Sequence, residues 1–378
     1  MKVLVAAAGT GGHINPAIAI ANKIKQENKD AEITFVGTPR GLENDLVPRA
    51  GYKLETIEVY GISREISIAN VRKGIKTLRG FSEAKKIVKK YNPDLVIGTG
   101  GYICGPVFTA ATKEKIPTVL HESNAFPGVT IKLLSKKVDL VLTGFEDAKL
   151  RLPKAKKVVV TGTPTKVKDL KLTEVQKTEI KVKLGFKSNK PLVLVFGGSQ
   201  GAQIINKTLI NIIKNKMNSN YQIMWAPGPK QYDKIKEELE KENININNIE
   251  DVKIIPYIYN MEEVLNCCDL VVARSGAMTI TEIAKVGKPA IFIPLAIAAE
   301  NHQEFNANVL VKQNAADKIL EKDLNEKILS EKINNIISDT NKMKQMGQNA
   351  RKIDIENVEE KIYKEIKKYV KFNWRALI

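Results

Sequence analysis

The chain has 378 residues, of which 43% are apolar, and it carries a formal net charge of +18 at pH 7. The apolar content excludes a wholly disordered chain, and the length exceeds that of a usual single domain, so we expect two domains. No run approaches the ~20 consecutive apolar residues of a membrane-spanning helix, and the N-terminus lacks the apolar region of a signal peptide, which indicates a cytoplasmic protein.

The excess of positive charge predicts a polyanionic partner: nucleic acid, anionic lipid or a phosphorylated substrate. The alternative is a general abundance of Lys, Asn and Ile in this composition. The three cysteines, Cys104, Cys267 and Cys268, form no CxxC pair. This pattern favours small buried residues in a reduced compartment over a disulfide framework or a thiolate zinc site.

Strand-like and helical segments alternate along the chain. Apolar runs predict strands near residues 2–8, 32–37, 94–98, 117–120, 138–143 and 157–161. A second series begins at 191–198 and continues through "YQIMWAP", "VKIIPYI", "CCDLVVA" and "KPAIFIPL". The alternation predicts α/β units with mostly parallel sheets, and the nearly continuous apolar strands indicate sheets buried on both faces.

The two halves share one plan, since each opens with a strand that runs into glycines, "VLVAAAGTGGH" and "VLVFGGSQGA". We therefore expect two doubly wound, Rossmann-like domains, residues 1–161 and 162–345, with a cleft between them. Residues 346–378 read as an amphipathic helix with a mixed tail, and we expect it to pack back onto the first domain. Because ligands of such sheets bind at the carboxyl ends of the strands, the glycine loops should face the cleft.

The first glycine loop fails both tests for a dinucleotide site. Gly9 and Gly11 begin a G-x-G-x-x-G pattern, but Ile14 stands at the third glycine position. The second strand ends at Gly37, where the pattern requires an acidic residue for the ribose. A Walker A loop is also absent from the sequence, so binding of NAD or of ATP through these motifs is disfavoured.

The same loop still has the properties of an anion cradle. Gly9, Gly11 and Gly12 allow backbone amides to approach an anion closely, and a helix with Pro16 in its first turn follows. His13 at this junction fits a base or a hydrogen-bond donor. The alternative is a tight turn with a satisfied polar side chain, and the residues alone favour neither.

Two further glycine loops occur at strand–helix junctions, "VIGTGGYICGPV" and "LVFGGSQGAQIIN". Three such loops, shared between the halves, predict two phosphorylated ligands, one for each domain. "TVLHESNAFPG" adds His121, Glu122 and Asn124 after another strand. No H-x-x-x-H or Asp-x-Asp pattern occurs, which disfavours zinc and predicts that helix termini and side chains neutralise a leaving diphosphate.

Six stretches occur in one order over nearly the whole chain: "GTGGHINPAIA", "GTGGYICGPV", "HESNAFPGVTIKLLS", "FGGSQGAQIIN", "RSGAMTITEIAKVGKPAIFIPL" and "NHQEFNAN". Together they resemble the MurG family of bacterial peptidoglycan glycosyltransferases, in glycosyltransferase family 28. The resemblance implies the GT-B fold and transfer of N-acetylglucosamine from UDP to lipid I, the undecaprenyl-diphosphate-linked muramyl pentapeptide, giving lipid II.

The resemblance also implies the partners of the chain. UDP-N-acetylglucosamine is the expected donor substrate, with no separate cofactor and no metal. Lipid I, an anionic membrane surface and cell-wall synthesis proteins are the expected partners, without nucleic acid. The implied location is peripheral, on the cytoplasmic face of the bacterial cell membrane.

The motif positions imply a set of site residues. The donor UDP-N-acetylglucosamine is expected to contact Thr10, Gly11, Gly12, Asn124, Lys166, Ser199, Ile258, Ala277, Met278, Thr279, Ile280, Thr281, Glu282 and Gln303. The acceptor diphosphate is expected at Gly100, Gly101, Tyr102 and Gly105. Within the donor set, the backbone of Ile258 would read the uracil edge and Glu282 would accept from the ribose hydroxyls. Lys166 stands in "GTPTK" where many members have arginine, so its contact lacks the bidentate fork of that residue.

Members of the family invert the anomeric centre in one displacement, in which the muramyl 4-hydroxyl attacks C1 of the sugar as UDP leaves. His13 is the candidate base by residue type, and Glu122 is the second candidate. Amides of the third loop and its helix N-terminus are expected to meet the charge that develops on UDP.

A basic segment is the candidate membrane face. Residues 64–90 contain nine basic and two acidic residues. Apolar and basic side chains recur there at helical spacing, and those expected to contact lipid are Ile75, Leu78, Phe81, Arg72, Lys73, Lys76 and Arg79. Such a segment can lie on anionic lipid. The alternative is a domain helix with a solvated basic face.

Three other functions are compatible with parts of the pattern. Another GT-B glycosyltransferase would share the donor half, and a UDP-N-acetylglucosamine 2-epimerase would share the fold. A basic nucleic-acid-binding protein is indicated by charge alone, because no helix-turn-helix, RRM or zinc-finger pattern is present in the sequence.

Overall fold

The computed structural model describes residues 1–61, 68–198, 201–246 and 249–374, without the side chains of 68–75, Ala299 and 371–374. The chain divides into two compact units. Unit 1 is Met1–Thr165 with Ile355–Ile378, and unit 2 is Lys166–Asp354. The predicted boundary, after residue 161, falls four residues earlier than this division. The carbonyl of Gly162 accepts a hydrogen bond from the buried His121, which keeps the start of the connecting segment in unit 1.

Unit 1 is built from strands and helices in alternation. In chain order they are β1 (Lys2–Ala6), α1 (Gly11–Glu27), β2 (Glu32–Gly37), α2 (Glu43–Arg49), β3 (Lys53–Thr56), α3 (Ile68–Tyr91), β4 (Leu95–Gly98), α4 (Cys104–Lys113), β5 (Thr118–Glu122), α5 (Val129–Leu134), β6 (Leu140–Thr143), α6 (Glu146–Leu150) and β7 (Val158–Val160). The strands form one parallel sheet in the order β3-β2-β1-β4-β5-β6-β7.

Unit 2 repeats the same plan. Its elements are α7 (Glu174–Lys183), β8 (Leu192–Phe196), α8 (Gln203–Lys214), β9 (Gln222–Ala226), α9 (Pro229–Lys241), β10 (Val252–Ile254), α10 (Met261–Cys267), β11 (Leu270–Ala273), α11 (Ala277–Val286), β12 (Ala290–Phe292), α12 (His302–Val311), β13 (Ala316–Lys318), α13 (Glu326–Ile337) and α14 (Thr340–Arg351). The parallel sheet has the order β10-β9-β8-β11-β12-β13. The prediction of two Rossmann-like α/β domains is confirmed.

The core of each unit lies on both faces of its sheet. In β1, Leu4 and Ala6 pack into one apolar cluster, whereas Val3 and Val5 pack into the cluster on the other face. This alternation follows from the two-residue period of a strand, and burial of both faces explains why the strand reads as a continuous apolar run.

The chain ends in two helices instead of the single predicted helix of residues 346–378. After α14 ends at Arg351, α15 (Val358–Trp374) begins. Asn357 lies between them with a φ of 54°, a left-handed conformation that interrupts a helix. Helix α15 packs against α1, where Glu360 pairs with Lys23 at 2.7 Å. Among the helices of the described residues, none has the length and apolar content that a membrane crossing requires.

Candidate active site

The strand order of unit 1 reverses between β1 and β4, which are neighbours in the sheet although β2 and β3 lie between them in the chain. In doubly wound sheets, ligands bind beside the carboxyl ends of the strands at such a reversal. The loops that follow β1 and β4 are the first and second glycine loops. The topology therefore brings together two loops that lie about ninety residues apart in the sequence.

The first loop turns sharply and then begins α1. Gly9 has a φ of 95°, and Thr10 has the extended backbone of an N-cap. The Thr10 side chain makes no capping hydrogen bond, and α1 begins at Gly11. The first amides of an α-helix have no acceptor within the helix and carry its positive dipole end. Gly11 and Gly12 therefore present backbone donors suited to an anion.

Two hydrogen bonds join His13 to the second loop. The Nδ1 atom of His13 lies 3.0 Å from the carbonyl oxygen of Thr99, and the Thr99 hydroxyl donates to the carbonyl of His13 at 2.7 Å. Because a carbonyl can only accept, Nδ1 carries the proton in this bond. In the neutral imidazole, Nε2 then holds the basic lone pair.

The second loop needs glycine at two positions where the backbone approaches its neighbours closely. Gly100 and Gly101 have φ values of 111° and 84°. A Cβ on Gly100 would lie 2.6 Å from Nδ1 of His13, and one on Gly101 would lie 2.9 Å from the carbonyl oxygen of Ala8. The next residue, Tyr102, is exposed, and Gly105 lies in the first turn of α4 with open space beside it.

Glu122 supports the loop that carries Asn124. Its carboxylate is buried at the end of β5 and accepts from the backbone N–H and the side-chain amide of Asn124, both at 2.9 Å. It also accepts from the N–H of Gly128 at 2.9 Å. Three such bonds fix the carboxylate as an acceptor and hold the Asn124 side chain against it.

In unit 2 the strand order reverses between β8 and β11. The third glycine loop follows β8. A Cβ on Gly197 would lie 2.3 Å from the amide nitrogen of Ala202, and one on Gly201 would lie 2.2 Å from the carbonyl oxygen of Pro227. Helix α8 begins directly afterwards at Gln203. Ser199 lies outside the described residues.

Asn206, to which the sequence analysis assigned no role, links α8 to the end of β9 and to the residues that follow it. This buried side chain donates to the carbonyl of Pro227 at 3.2 Å and to the side-chain oxygen of Gln231 at 2.7 Å. It accepts from the indole N–H of Trp225 at 3.1 Å. An asparagine among the isoleucines and leucine of α8 was the available signal, because buried polar groups need partners.

The loop after β11 holds the donor candidates from Ala277 to Glu282. Helix α11 begins at Ala277 after Gly276, and no side chain of the described residues makes a capping hydrogen bond there. Ile280 is fully buried, so only its backbone can face a ligand, whereas Thr281 and Glu282 are half-buried.

Hydrogen bonds to the backbone carbonyl and to the side-chain oxygen of Gln303 hold this residue beside the end of β11. The Ser275 hydroxyl donates to the Gln303 carbonyl at 2.7 Å, and Gln303 Oε1 accepts from the N–H of Leu295 at 3.0 Å. Asn306 completes the link by donating to the carbonyl of Ser275 at 3.1 Å. The fold thus brings Gln303 to the loop that opens α11.

The remaining donor candidates lie at the surface or next to it. The Ile258 side chain is buried, and the tyrosines on either side of it are exposed. The rings of Tyr257 and Tyr259 meet edge to face, with 5.0 Å between their centroids. Lys166 is exposed at the first position of unit 2. Within the described residues, no group of three or more His, Cys, Asp or Glu side chains is arranged to hold a metal ion.

Comparison with known proteins assigns both units to one family. The glycosyltransferase family 28 N-terminal domain matches residues 3–143, and the family 28 C-terminal domain matches residues 192–366. The chain belongs to glycosyltransferase family 28. The expected resemblance to the MurG group of this family and the prediction of a glycosyltransferase are both confirmed.

The chain is similar in sequence or in fold to three further proteins. The chain is 46% identical over 367 residues to the UDP-N-acetylglucosamine--N-acetylmuramyl-(pentapeptide) pyrophosphoryl-undecaprenol N-acetylglucosamine transferase of Caldanaerobacter subterraneus subsp. tengcongensis, covering 97% of this chain and 99% of that relative. The crystal structure of MurG from Acinetobacter baumannii has a TM-score of 0.76 at 27% identity, covering 97% of this chain and 99% of the other. UDP-GlcNAc 2-epimerase from Neisseria meningitidis, bound to UDP-GlcNAc, has a TM-score of 0.63 at 17% identity over 97% of this chain and all of that one. The last likeness shows the fold alone.

His121 is the buried titratable group next to this site. Burial lowers the pKa of His121 to about 4, from its ordinary value of 6.5. The neutral ring donates from Nε2 to the Gly162 carbonyl at 2.9 Å, and Nδ1 lies 3.4 Å from the Ser123 hydroxyl. The ring therefore serves as a neutral tie between β5 and the segment after β7.

We expect unit 1 to lose stability as the pH falls below 6.5, because the unfolded chain then binds a proton at His121 that the folded chain excludes down to about pH 4. Between pH 7 and pH 5 this linkage lowers the free energy of unfolding by about 2 kcal/mol. In His121→Gln, whose amide can still donate to Gly162, that part of the loss should disappear. Urea unfolding of both proteins at pH 7 and pH 5 measures it, and parallel pH dependences would refute the assignment.

Proposed function

We propose that the chain transfers N-acetylglucosamine from UDP-N-acetylglucosamine to the 4-hydroxyl of lipid I, giving lipid II in peptidoglycan synthesis. The observation that carries this proposal is the match, at 46% identity over nearly the whole of both chains, to a relative named for that transfer. The reaction is a single inverting displacement, in which the C1–O bond to UDP breaks as the muramyl oxygen bonds to C1. The proton of that hydroxyl goes to a base.

Unit 2 is the proposed donor domain. The first amides of α8 and α11 supply hydrogen bonds and positive dipole ends for the diphosphate, as helix N-termini do for other phosphates. Glu282 accepts from the ribose hydroxyls, the Ile258 backbone pairs with uracil, and Gln303 contacts the sugar or ribose. Ser199 and Lys166 contribute polar contacts to the phosphates.

Unit 1 is the proposed acceptor domain. The first and second loops are fixed to each other through His13 and Thr99. The loop from Gly100 to Gly105 receives the lipid-linked diphosphate and positions the muramyl hydroxyl, and Thr10, Gly11 and Gly12 of the first loop contact the donor sugar near it. Asn124 binds a hydroxyl of the donor sugar.

His13 is the proposed base. Its Nδ1–H bond to Thr99 leaves Nε2 as the basic atom of the neutral ring. Glu122 is the weaker candidate because its carboxylate accepts three hydrogen bonds from Asn124 and Gly128. Removing the carboxylate from those bonds would release the loop that carries Asn124.

Helix α3 is the proposed membrane face. Leu78 and Phe81 lie three residues apart on it, with 72% and 39% of their surfaces exposed. Lys76 and Arg79 are exposed between and beside them. The side chains of Arg72, Lys73 and Ile75 lie outside the described residues. An apolar pair bordered by cations suits the surface of an anionic bilayer, where each cation contributes ~1 kcal/mol.

The test of the proposed reaction is release of UDP from UDP-N-acetylglucosamine in EDTA, with and without a soluble lipid I analogue. We expect release only with the acceptor and at an undiminished rate in EDTA, because backbone amides and helix termini neutralise the leaving diphosphate. Epimerisation of the sugar without acceptor would instead establish a 2-epimerase. Salt-sensitive binding to duplex DNA without turnover would support the nucleic-acid alternative.

Replacing His13 by alanine should lower kcat by ~10²–10⁴ with a similar KM for UDP-N-acetylglucosamine, since the base acts on the acceptor hydroxyl. His13→Gln is the matched variant, because its side-chain amide can donate to the Thr99 carbonyl but has no basic nitrogen. Steady-state assays with the lipid I analogue measure both. If His13→Gln turned over at the wild-type rate, His13 would only connect the first and second loops and would not be the base.

The wild-type chain should sediment with vesicles that contain phosphatidylglycerol, and added salt should weaken that binding. In the double variant Leu78→Glu, Phe81→Glu we expect the vesicle partition coefficient to fall at least ~10-fold, because apolar contact is lost and negative charge is added. The matched control is Val175→Glu, Val182→Glu on α7, where the two valines are 68% and 55% exposed. Equal binding to neutral vesicles, or equal losses in both variants, would rule out this face.

A further inference from the structure

The carboxylate of Glu43 is fully buried behind the first loop of unit 1. Glu43 is the first residue of α2, and its Oε2 accepts from the N–H of Gly9 at 2.9 Å. Its Oε1 accepts from the N–H of Thr38 at 2.8 Å and from the Thr38 hydroxyl at 2.7 Å. One buried side chain therefore joins the end of β2 to the turn that leads into α1.

Two glycines make room for this carboxylate. A Cβ on Gly37 would lie 2.6 Å from Cγ of Glu43, and one on Gly41 would lie 1.9 Å from its Oε2. Burial of a carboxylate is costly unless hydrogen bonds replace its water, and here three donors do so. The fold therefore provides both the space and the hydrogen-bond donors that the buried Glu43 carboxylate needs.

Gly37 stands where a dinucleotide-binding sheet places the acidic residue that holds a ribose. In this chain an acidic side chain reaches the same end of β2 from α2, and it bonds to protein backbone. The N–H of Gly9 is thereby used inside the protein, whereas the N–H groups of Gly11 and Gly12 lie at the start of α1 and have no acceptor within that helix.

We propose that Glu43 is a positioning residue for the transfer reaction. By holding Gly9 in its left-handed conformation, at a φ of 95°, it fixes the direction in which the chain enters α1. The amides of Gly11 and Gly12 and the imidazole of His13 follow within the next four residues. A displacement of about 1 Å at a reacting group can cost ~10²-fold in rate. The expected effect on the transfer rate rests on the proposed function, whereas the hydrogen bond between Glu43 and Gly9 does not depend on it.

The experiment compares Glu43→Ala and Glu43→Gln with Thr38→Val. The alanine variant removes every bond to Gly9 and Thr38, and the glutamine variant leaves one acceptor oxygen for donors that lie on two sides. Thr38→Val removes one of the three donors to the same carboxylate and keeps the bond to Gly9. It is therefore the control for a loss of hydrogen bonding at Glu43 that leaves Gly9 in place.

We expect kcat with the lipid I analogue to fall ~10²-fold in Glu43→Ala and at least ~10-fold in Glu43→Gln. The affinity for UDP by calorimetry should stay within about threefold, because the proposed nucleotide contacts of unit 2 are untouched. Thr38→Val should retain kcat within about threefold. If the alanine variant fails to fold, the glutamine variant decides, and equal kcat in Glu43→Gln and Thr38→Val would overturn the proposal.

Amide hydrogen exchange at Gly9 separates this inference from the proposed reaction. Loss of the Glu43 bond should speed exchange at Gly9 more than ~10-fold in Glu43→Ala and leave it unchanged in Thr38→Val. Unchanged exchange in Glu43→Ala would refute the positioning role even if transfer is observed. Absence of acceptor-dependent UDP release from the wild-type chain would refute the proposed function. Hydrogen exchange at Gly9 would still show whether Glu43 holds that residue in place.

Discussion

The two hydrogen bonds between His13 and Thr99 are the constraint on which unit 1 depends, because they join two loops from opposite sides of the strand-order reversal. One bond sets the tautomer of the imidazole, and the other ties the backbone of α1 to the end of β4. The close approach requires a bare backbone, since a Cβ on Gly100 would meet the ring. The glycines of the second loop therefore serve the histidine as much as they serve any ligand.

Each unit has a buried polar side chain that bonds to the backbone of a loop at a strand end. Glu43 accepts from Gly9 in unit 1, and Asn206 donates to the backbone after β9 in unit 2. Loops that bind anions through backbone amides cannot hold their own shape by helix or sheet hydrogen bonds. A satisfied polar group in the core supplies that rigidity, and the cost of its burial is met because every partner is in place.

The sequence was most informative where burial leaves an apolar run or where a loop requires glycine. The central strands and the three glycine loops were predicted for these reasons. Two of the four edge strands, β3, "KLET", and β13, "ADK", were missed because these short segments carry polar and charged residues and no apolar run. Glu43 and Asn206 were missed because each also bonds to a backbone group far along the chain, Gly9 at 34 positions and Pro227 at 21, which only the folded topology brings near. The break before α15 depends on Asn357, whose left-handed φ is a property of the folded chain.

The buried polar groups near the loops differ in charge between the units. In unit 2, Asn206 is a neutral amide that bonds to Pro227, Gln231 and Trp225. In unit 1, Glu43 and Glu122 are carboxylates, and each accepts hydrogen bonds from backbone N–H groups. Because a buried carboxylate needs such donors, the backbone N–H groups of Gly9, Asn124 and Gly128 are used within unit 1. The loops of this unit are thus ordered by contacts inside the unit itself.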